Sequence, residues 1–329
     1  MNKKMIALFA ALLLVGCGTQ SSEIQKGSGE RAERSVIINI PTASTTGTLY
    51  PLGSSIAAMW NEKIPYVRAN AQASNGGIEN LNLLRSGEAQ VSMAVISNIY
   101  QSANGTAKFE GRANEDLRII AGLYYNPNQI VVRDGAGIQE FMDLAGRKFA
   151  SGSPGSTTED EAKVHFLSAG IAYPDGIKAQ FIGFTEAIDL MRNKQIDGAW
   201  IMAGLPTSAV TEMTTTANGR LIGLSEEQIA KLRREYPWYA EYTIPANTYK
   251  GQEQEIKTTA IKMAMFTSAD IPEDVVYDLT KAFWENLETL KASNASLQGI
   301  SIEQAVTDLA DLPLHEGAIR YYKEVGVLE

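Results

Sequence analysis

Cysteine is almost absent from this sequence, because Cys17 is the only one among 329 residues. Without a second cysteine the chain cannot form an internal disulfide or a cysteine-rich metal cluster. Its two histidines, His165 and His315, lie neither in an HExxH motif nor in a pattern with cysteine that would bind zinc. We therefore expect no metal and no cofactor, and the folded part must be held together by its hydrophobic core.

Motifs that mark common enzyme classes are missing as well. The sequence contains no Walker loop, no Gly-x-Gly-x-x-Gly fingerprint and no Gly-x-Ser-x-Gly elbow. The nearest acid–base candidates, Glu186 and Asp189, fall on a helix where they are expected to be solvated. The chain is predicted not to be an enzyme, although an enzyme on the same fold is an alternative, because a fold does not fix function.

Positive charge is also scarce. The sequence has 29 Lys and Arg against 38 Asp and Glu, which gives a formal net charge of −9. An acidic chain with no basic stripe argues against nucleic-acid binding and against adsorption to anionic lipid. It remains compatible with an anionic ligand, because a local site can be positive within a negative protein.

The first residues have the layout of an export signal. Lys3 and Lys4 precede an apolar run that ends in small residues, and residues 1–16 are too few to span a membrane. Residues 14–18, Leu-Val-Gly-Cys-Gly, resemble the lipobox of bacterial lipoproteins, in which the cysteine is lipidated. We predict that Cys17 anchors an exported chain to a membrane, in the periplasm or at the cell surface; the alternative is that Cys17 is incidental.

A polar segment separates this signal from the rest of the chain. Residues 17–34 contain Gly and Ser and show no apolar periodicity, which indicates a lipid-anchored flexible tether. The remaining residues, about 295 of them, exceed what one hydrophobic core usually fills. This length suggests two lobes.

Beyond the tether, β-rich runs alternate with amphipathic helical patterns, which is typical of layered α/β domains with parallel strands. Strands are predicted at 36–40, 67–74, 91–97, 117–133, 148–151, 179–183, 198–202, 220–223 and 258–267. Helices are predicted at 51–63, 78–85, 157–169, 186–194, 207–214, 273–291 and 302–309.

This order predicts an α/β fold of two lobes that close like a clamp, each lobe a mostly parallel sheet flanked by helices. Residues 36–132 and 258–329 would form domain 1, and residues 133–257 would form domain 2. Two extended crossings, near Ile130 and Ala264, would serve as a two-strand hinge, because small dihedral changes there move whole lobes.

Small and polar residues are concentrated in the turns after the predicted strands, where open α/β sheets bind ligands. Glycine allows close approach, hydroxyls and amides donate hydrogen bonds, and the following helix presents unpaired N–H groups. Six turns have this composition: 44–50, 74–77, 97–100, 151–157, 183–185 and 203–207. As a set they predict a carboxylate site without arginine, although any one of them is more often an ordinary helix cap.

The turn before the helix at 157 is the sharpest of the six. Ser156 and Glu159 fit a capping box. Glu159, Asp160 and Glu161 then lie in the first turn and partly cancel the attraction of the helix N-terminus for an anion. A zwitterion or a weakly held acid is therefore favoured over a polyphosphate.

Three tyrosines are further ligand candidates. Tyr50 follows a Gly-Thr turn, and Tyr124 and Tyr125 lie in the long strand at 117–133. Their phenols could donate hydrogen bonds and their rings could wall the apolar part of a ligand. At least one of the three is expected to be ordinary core packing.

A series of short motifs between residues 47 and 156 carries a resemblance to a known family that extends over about residues 36–329. They are Gly-Thr-Leu-Tyr-Pro-Leu-Gly at 47–53, Gly-Gly-Ile-Glu-Asn-Leu at 76–81, Ser-Gly-Glu at 86–88, Val-Val-Arg at 131–133, Asp-Leu-Ala-Gly-Arg at 143–147 and Gly-Ser-Pro-Gly-Ser at 152–156. In this order and spacing they resemble the TAXI group of TRAP-transporter solute receptors, which have the type II periplasmic-binding-protein fold. The resemblance implies a receptor that delivers a glutamate-like amino acid or a dicarboxylate to fused TRAP membrane subunits, driven by an ion gradient.

The resemblance also implies which residues bind the ligand. Carried over by position, they are Thr46, Gly47, Thr48, Leu49, Tyr50, Ser74, Asn75, Gly76, Ser97, Asn98, Tyr124, Gly155, Ser156 and Thr157. The chain departs from the family pattern at Leu49 and Ile96, where a tyrosine and a glutamine are common, so the implied pocket is less polar. The alternatives are the substrate-binding lipoprotein of an ABC importer and a receptor coupled to a sensor.

Overall fold

The computed structural model describes residues 35–236 and 238–329. The predicted export signal, the predicted lipidation site Cys17 and the predicted tether lie outside the described residues. Within the described ranges, no helix is both long enough and apolar enough to cross a membrane.

The first part of the fold alternates strands and helices, as the sequence predicted. Its elements are β1 (Val36–Pro41), α1 (Leu49–Lys63), β2 (Val67–Gln72), α2 (Gly77–Arg85), β3 (Val91–Val95), α3 (Ile96–Asn104) and the long β4 (Leu117–Arg133). The second part continues with β5 (Lys148–Ala150), α4 (Thr157–Ser168), β6 (Lys178–Gln180), α5 (Phe184–Arg192), β7 (Gly198–Met202), α6 (Ser208–Thr216), β8 (Gly219–Ile222), α7 (Glu226–Glu235) and β9 (Ala240–Ile244).

The last part contributes one more long strand and a helical C-terminus. Its elements are β10 (Ile256–Ser268), α8 (Glu273–Glu285), α9 (Leu287–Ser293) and α10 (Glu316–Glu324). The indole of Trp60 on α1 donates a hydrogen bond to the Leu279 carbonyl of α8 at 3.0 Å. The hydroxyl of Tyr322 on α10 donates to the Ile120 carbonyl of β4 at 2.8 Å. The C-terminal helices α8 and α10 thus pack against the first part of the fold.

The sheet is built around the two long strands. Its order is β3-β10-β4-β7-β5-β6, with β8 on β4 and β9 on β10, while β1 and β2 form a separate parallel pair. The short strands β5, β6 and β7 pair in parallel, whereas β10 and β4 run antiparallel to their neighbours. β4 pairs with β10 as far as Pro127 and with β7 from Asn128 onwards. The mixed α/β fold with a helix-flanked sheet is confirmed.

Burial explains why these two strands are central. Nearly every residue of β4 and β10 is buried, as expected for strands covered on both faces, and several of these buried residues are polar. The largest fully buried side chains include Trp60, Trp200 and Phe166. Each such side chain contributes about 1.5–3 kcal/mol by leaving water.

Several predicted elements were wrong in detail. The strand at 91–97 ends at Val95, and α3 begins at Ile96, so Ser97 and Asn98 lie in the first turn of a helix rather than in a turn between elements. The helix at 273–291 is divided at Asn286. The helices α7 and α10 and the strand β9 were not predicted.

The predicted helix at 302–309 is only a short 3-10 segment, Glu303–Val306. The ammonium of Lys262, buried on β10, donates to the carbonyl oxygens of Gln304 and Thr307, both at 2.7 Å. These carbonyls are acceptors that a continuing helix would need. Beyond them, Asp308 and Asp311 adopt positive φ angles of 54° and 57°, which a right-handed helix excludes.

Candidate functional site

Five of the six predicted turns meet around one cavity of about 60 Å³. This volume is roughly four to six times what one water molecule needs, which is enough for a small compact solute. The cavity is lined by Ala43, Ser44, Gly47, Thr48, Leu49, Ser74, Asn75, Gly76, Gly77, Ala94, Val95, Asn126, Ser153, Ser156, Thr157, Thr158, Gly183, Phe184, Met202, Ala203 and Met263. The sixth turn, 97–100, contributes no lining residue because it is part of α3.

Four helices begin at the wall of this cavity. They are α1 at Leu49, α2 at Gly77, α4 at Thr157 and α5 at Phe184, and all four residues line it. No side chain caps the N-terminus of α1, α2 or α5 in the described structure, whereas the Ser156 hydroxyl caps α4 by accepting from the Glu159 amide at 3.1 Å. Uncapped N-termini present free N–H groups and a partial positive charge, which together form a site for an anion.

Charge at the cavity comes from the backbone rather than from side chains. None of the lining residues, all within the described ranges, is Asp, Glu, Lys, Arg or His. Glu159 and Asp160 lie in the first turn of α4. The Lys108 ammonium lies 3.3 Å from the Glu159 carboxylate and 2.8 Å from the Asp160 carboxylate. The third acid, Glu161, points into the interior. The acids therefore oppose an anion at α4 less than the sequence predicted.

The capping box at α4 forms in a modified way. The Ser156 half is present, but the Glu159 carboxylate accepts from the Gly155 amide at 2.9 Å instead of from the Ser156 amide. Gly155 adopts a φ of +75°, which brings its N–H within reach. The helix start predicted at Thr157 is confirmed.

One glycine permits the close approach of two of these helices. A Cβ on Gly77 would lie 2.9 Å from the Ala94 Cβ and 2.9 Å from the Thr157 Oγ1. Real Cβ atoms do not approach other atoms so closely, so the N-terminus of α2 can meet that of α4 only because residue 77 has no side chain. The short distance keeps two positive helix ends beside the same cavity.

Hydrogen bonds tie residues 46–48 to the segment that follows β7. The Thr48 hydroxyl donates to the Gly204 carbonyl at 2.9 Å, and the Thr46 carbonyl accepts from the Thr207 hydroxyl at 3.2 Å and from the Ala209 amide at 3.0 Å. We refer to these five residues as the clasp. It joins the start of α1 to the start of α6 at the cavity edge.

Two further residues support the clasp from behind. The Tyr249 hydroxyl donates to the Gln129 Oε1 at 2.7 Å and accepts from the Thr207 amide at 3.1 Å. The Gln129 Nε2 donates to the Ala203 carbonyl at 2.7 Å. Gln129 lies on β4, so this chain of hydrogen bonds fixes the segment after β7 relative to the long strand.

The structure places eight of the fourteen predicted ligand residues on the cavity wall: Gly47, Thr48, Leu49, Ser74, Asn75, Gly76, Ser156 and Thr157. The other six, Thr46, Tyr50, Ser97, Asn98, Tyr124 and Gly155, do not line it.

Some of those six residues contact a lining residue or a residue of the clasp. Thr46 belongs to the clasp, and the Asn98 Oδ1 accepts from the lining Thr157 hydroxyl at 2.7 Å. Tyr124 is buried, and a Cβ on Gly204 would lie 2.7 Å from its ring. Ser97 is also buried, Tyr50 is half-buried on α1, and Gly155 is exposed.

Thirteen lining residues were absent from the predicted set: Ala43, Ser44, Gly77, Ala94, Val95, Asn126, Ser153, Thr158, Gly183, Phe184, Met202, Ala203 and Met263. Most of them belong to, or adjoin, turns whose composition had marked them as candidates, so the signal was available. Asn126 and Met263 had no such signal, because they lie inside the long strands β4 and β10.

A cluster of buried polar and aromatic side chains lies in the interior behind α4. It consists of Asn128, Glu161, His165, Trp200, Tyr239 and Thr259, which we call the Asn128 cluster. The Asn128 amide donates to the Glu161 carboxylate at 3.0 Å and to the Thr259 hydroxyl at 3.1 Å, and its oxygen accepts from the Trp200 indole at 2.9 Å. The Tyr239 hydroxyl donates to Glu161 at 2.8 Å.

Burial shifts the pKa of all three titratable members of this cluster, and it raises that of Tyr239. Loss of water raises the pKa of Glu161 to about 7, although hydrogen bonds from Asn128 and Tyr239 act in the opposite direction. Loss of water lowers the pKa of His165 to about 4. The His165 ring contacts the Glu161 carbonyl and the Thr259 hydroxyl, both at 2.7 Å. His165 is therefore a satisfied core residue, and within the described ranges no group of three His, Cys, Asp or Glu could hold a metal ion.

Comparisons with known proteins agree with this fold. The sequence matches the model of the NMT1-like family over residues 40–326. The structure is similar to that of a protein from Bordetella bronchiseptica RB50, with 14% identity, a TM-score of 0.55, and 89% of this chain and 99% of that chain covered. It is also similar to a structure described for glutathione import via GshT and the cystine ABC importer TcyBC of Streptococcus mutans. The identity is 14%, the TM-score is 0.50, and the match covers 82% of this chain and 97% of that chain.

A third similar structure is the alkanesulfonate-binding protein SsuA from Xanthomonas axonopodis pv. citri, with 13% identity, a TM-score of 0.47, and 88% and 90% covered. At such identities a likeness concerns the fold alone.

Proposed function

The chain belongs to the NMT1-like family, and from this premise we propose that it is an extracytoplasmic solute-binding receptor for a small carboxylate. The observation that carries the proposal is a single cavity at which four helices begin and which no charged side chain lines among the described residues. Free N–H groups at helix N-termini bind carboxylates without a counter-ion from a side chain. The many small lining residues let a ligand approach them closely.

In this proposal residues 36–132 and 258–329 form one lobe, and residues 133–257 form the other. The clasp and the Thr157–Asn98 hydrogen bond then join the two lobes, and the lobes close about β4 and β10. A ligand that contacts residues of both lobes is held better in the closed state and shifts the open–closed equilibrium towards it.

The ligand proposed is a glutamate-like amino acid or a dicarboxylate. The direct test is to titrate glutamate, succinate, 2-oxoglutarate and other amino acids against thermal stability. A ligand present at a hundred times its dissociation constant stabilises the folded state by about 2.7 kcal/mol. Failure of a broad panel of small acids to raise the melting temperature would refute the proposal.

The proposed partner is a TRAP-type membrane transporter, which the TAXI-like motifs at 47–53, 76–81 and 152–156 support. The alternative is an ABC importer, the class named for the Streptococcus mutans system. Uptake by membrane vesicles distinguishes the two: collapse of the ion gradient stops a TRAP transporter, whereas depletion of ATP stops an ABC importer. Association with the membrane through Cys17 is part of the proposal, and Cys17→Ser should release the protein into the soluble fraction.

An enzyme on the same fold is the remaining candidate. The nearest acids named from the sequence do not support it: Asp189 forms an ion pair with Arg192 at 2.7 Å, and its side chain is 60% exposed. Glu186 is likewise on the exposed face of α5. Chemical conversion of a bound compound by the purified protein would favour the enzyme.

A further inference from the structure

Asn126 is a lining residue whose buried side-chain oxygen has no role in the proposed function. It lies on β4, one residue before the last pair with β10, and it lines the cavity. The residue is 6% exposed, and its buried Oδ1 has no hydrogen-bond partner among the described residues. A buried amide oxygen without a partner is unfavourable unless something supplies a donor.

The surroundings of Asn126 make it the only polar side chain of its part of the wall. The lining residues carried by strands are Ala94, Val95, Asn126, Met202 and Met263. The other four are apolar and offer nothing to the amide. The rest of the wall consists mainly of turns and helix N-termini, whose free N–H groups suit a carboxylate.

The cavity thus contains two different chemistries, donors at the helix ends and one acceptor on a strand. We propose that Asn126 is a second ligand anchor, whose oxygen accepts a hydrogen bond from an ammonium or hydroxyl group of the bound acid. This inference rests on the proposed function and narrows it. The ligand class is amino acids or hydroxy acids, and keto acids and bare dicarboxylates are disfavoured because they place no donor against the amide oxygen.

The experiment compares ligands that differ only at C2. Isothermal titration of the purified protein with L-glutamate, 2-hydroxyglutarate and 2-oxoglutarate keeps the two carboxylates and the carbon skeleton constant. Alanine, lactate and pyruvate repeat the comparison in a smaller ligand. Within the series that binds, the ammonium or hydroxyl member should bind roughly ten- to a hundredfold more tightly than the keto member. Equal affinities in the wild-type protein would overturn the inference.

Variants of Asn126 identify the atom responsible. In Asn126→Leu the preference over the keto acid should fall to within about threefold, because the acceptor is gone. Asn126→Asp keeps an oxygen and loses the NH₂ group, so the ammonium ligand should retain its advantage over the keto acid. Loss of that advantage in Asn126→Asp, or its persistence in Asn126→Leu, would show that the amide oxygen is not the anchor.

A matched control uses Asn75, an exposed asparagine on the same wall. Asn75→Ala should change the affinities for all members of a series by the same factor, since the inference assigns it no contact with C2. Thermal melting of each variant without ligand shows that it is folded. If no acid of either series binds, the proposed function itself fails; if the acids bind without discrimination at C2, only the role of Asn126 fails.

Discussion

Two asparagines, two residues apart on β4, have opposite surroundings. Asn128 is fully buried and uses both ends of its amide, bonding to Glu161, Thr259 and Trp200. Asn126 is almost as buried, yet its oxygen has no partner in the described structure. The first belongs to the Asn128 cluster and the second to the cavity.

The difference separates polar groups that stabilise the fold from polar groups that are available to a ligand. The Asn128 cluster contains titratable side chains, but hydrogen bonds within it satisfy them, and it leaves nothing for a solute to bind. The cavity has no charged side chain, but it has unpaired donors and acceptors. Burial and polarity alone do not identify a binding site, whereas unmet hydrogen-bonding capacity does.

The largest expected effect is the difference in stability between two leucine variants, Asn128→Leu and Asn126→Leu. Asn128→Leu should lower the free energy of unfolding by about 4 kcal/mol. It leaves the buried Trp200 indole without an acceptor and removes one of the two hydrogen bonds that Glu161 accepts, so that only the bond from Tyr239 remains. Asn126→Leu should change it by less than about 1 kcal/mol, since no bond to its oxygen is lost. Urea denaturation with an unchanged m-value measures both. Equal losses in the two variants would contradict the distinction.

The next prediction concerns the pH dependence of the free energy of unfolding. Glu161 and His165, both in the Asn128 cluster, contribute to it with opposite signs. The pKa of Glu161 rises from 4.5 to about 7 on folding, so its contribution is present below pH 4.5 and is lost as the pH rises to about 7. The pKa of His165 falls from 6.5 to about 4, so its contribution is absent below pH 4 and is gained as the pH rises to 6.5. The two slopes oppose each other in the wild-type protein.

Replacing Glu161 should therefore reveal the pH dependence that His165 contributes. In Glu161→Gln the free energy of unfolding should rise by about 3 kcal/mol between pH 4 and pH 6.5, while in the wild-type protein these two groups together contribute little net change. Denaturation curves at pH 4, 5.5 and 7 provide the measurement. A Glu161→Gln variant with the same pH profile as the wild type would show that the two groups are not compensating.

The smallest effect concerns Lys108, which neutralises the acids at the cavity side of α4. The ion pairs of Lys108 with Glu159 and Asp160 are partly exposed. Lys108→Met should therefore lower the free energy of unfolding by only about 0.2–1 kcal/mol, and by less at high salt. Carboxylate affinity should fall more clearly at low salt, because Glu159 and Asp160 are then unopposed near the helix end. Titration at low and high salt tests this, and Lys63→Met, at an exposed pair remote from the cavity lining, is the control. If Lys108→Met and the wild-type protein bind the carboxylate with the same affinity at low salt, Lys108 does not affect the electrostatic potential of the site.

Local sequence signals predicted much of the fold. The strand at 117–133 was correct at both ends, because the segment is rich in β-formers and contains no break other than Asn126-Pro127. The start of α4 followed from the Ser156 cap. The helix α7 was missed although Ser225 and Gln228 form a complete capping box, so its signal was present in the sequence.

Features set by distant contacts could not be predicted in this way. Ile96 continues an apolar run typical of a strand, and only packing makes it the start of α3. The 302–309 segment has a helical composition, but Lys262, some forty residues earlier, takes its carbonyl groups. The role proposed for Asn126 depends on what its neighbours fail to offer, which no local pattern records.

The position of β10 has a consequence for how the chain reaches its native state. β3 and β4 are consecutive strands, yet β10 lies between them and pairs with both. A growing polypeptide cannot complete this layer until residues 256–268 have been synthesised, however soon its earlier segments become available. Because long-range strand pairing is slow, we expect this sheet to form only after β10 is available, and the edges that β3 and β4 offer to β10 stay unpaired until then.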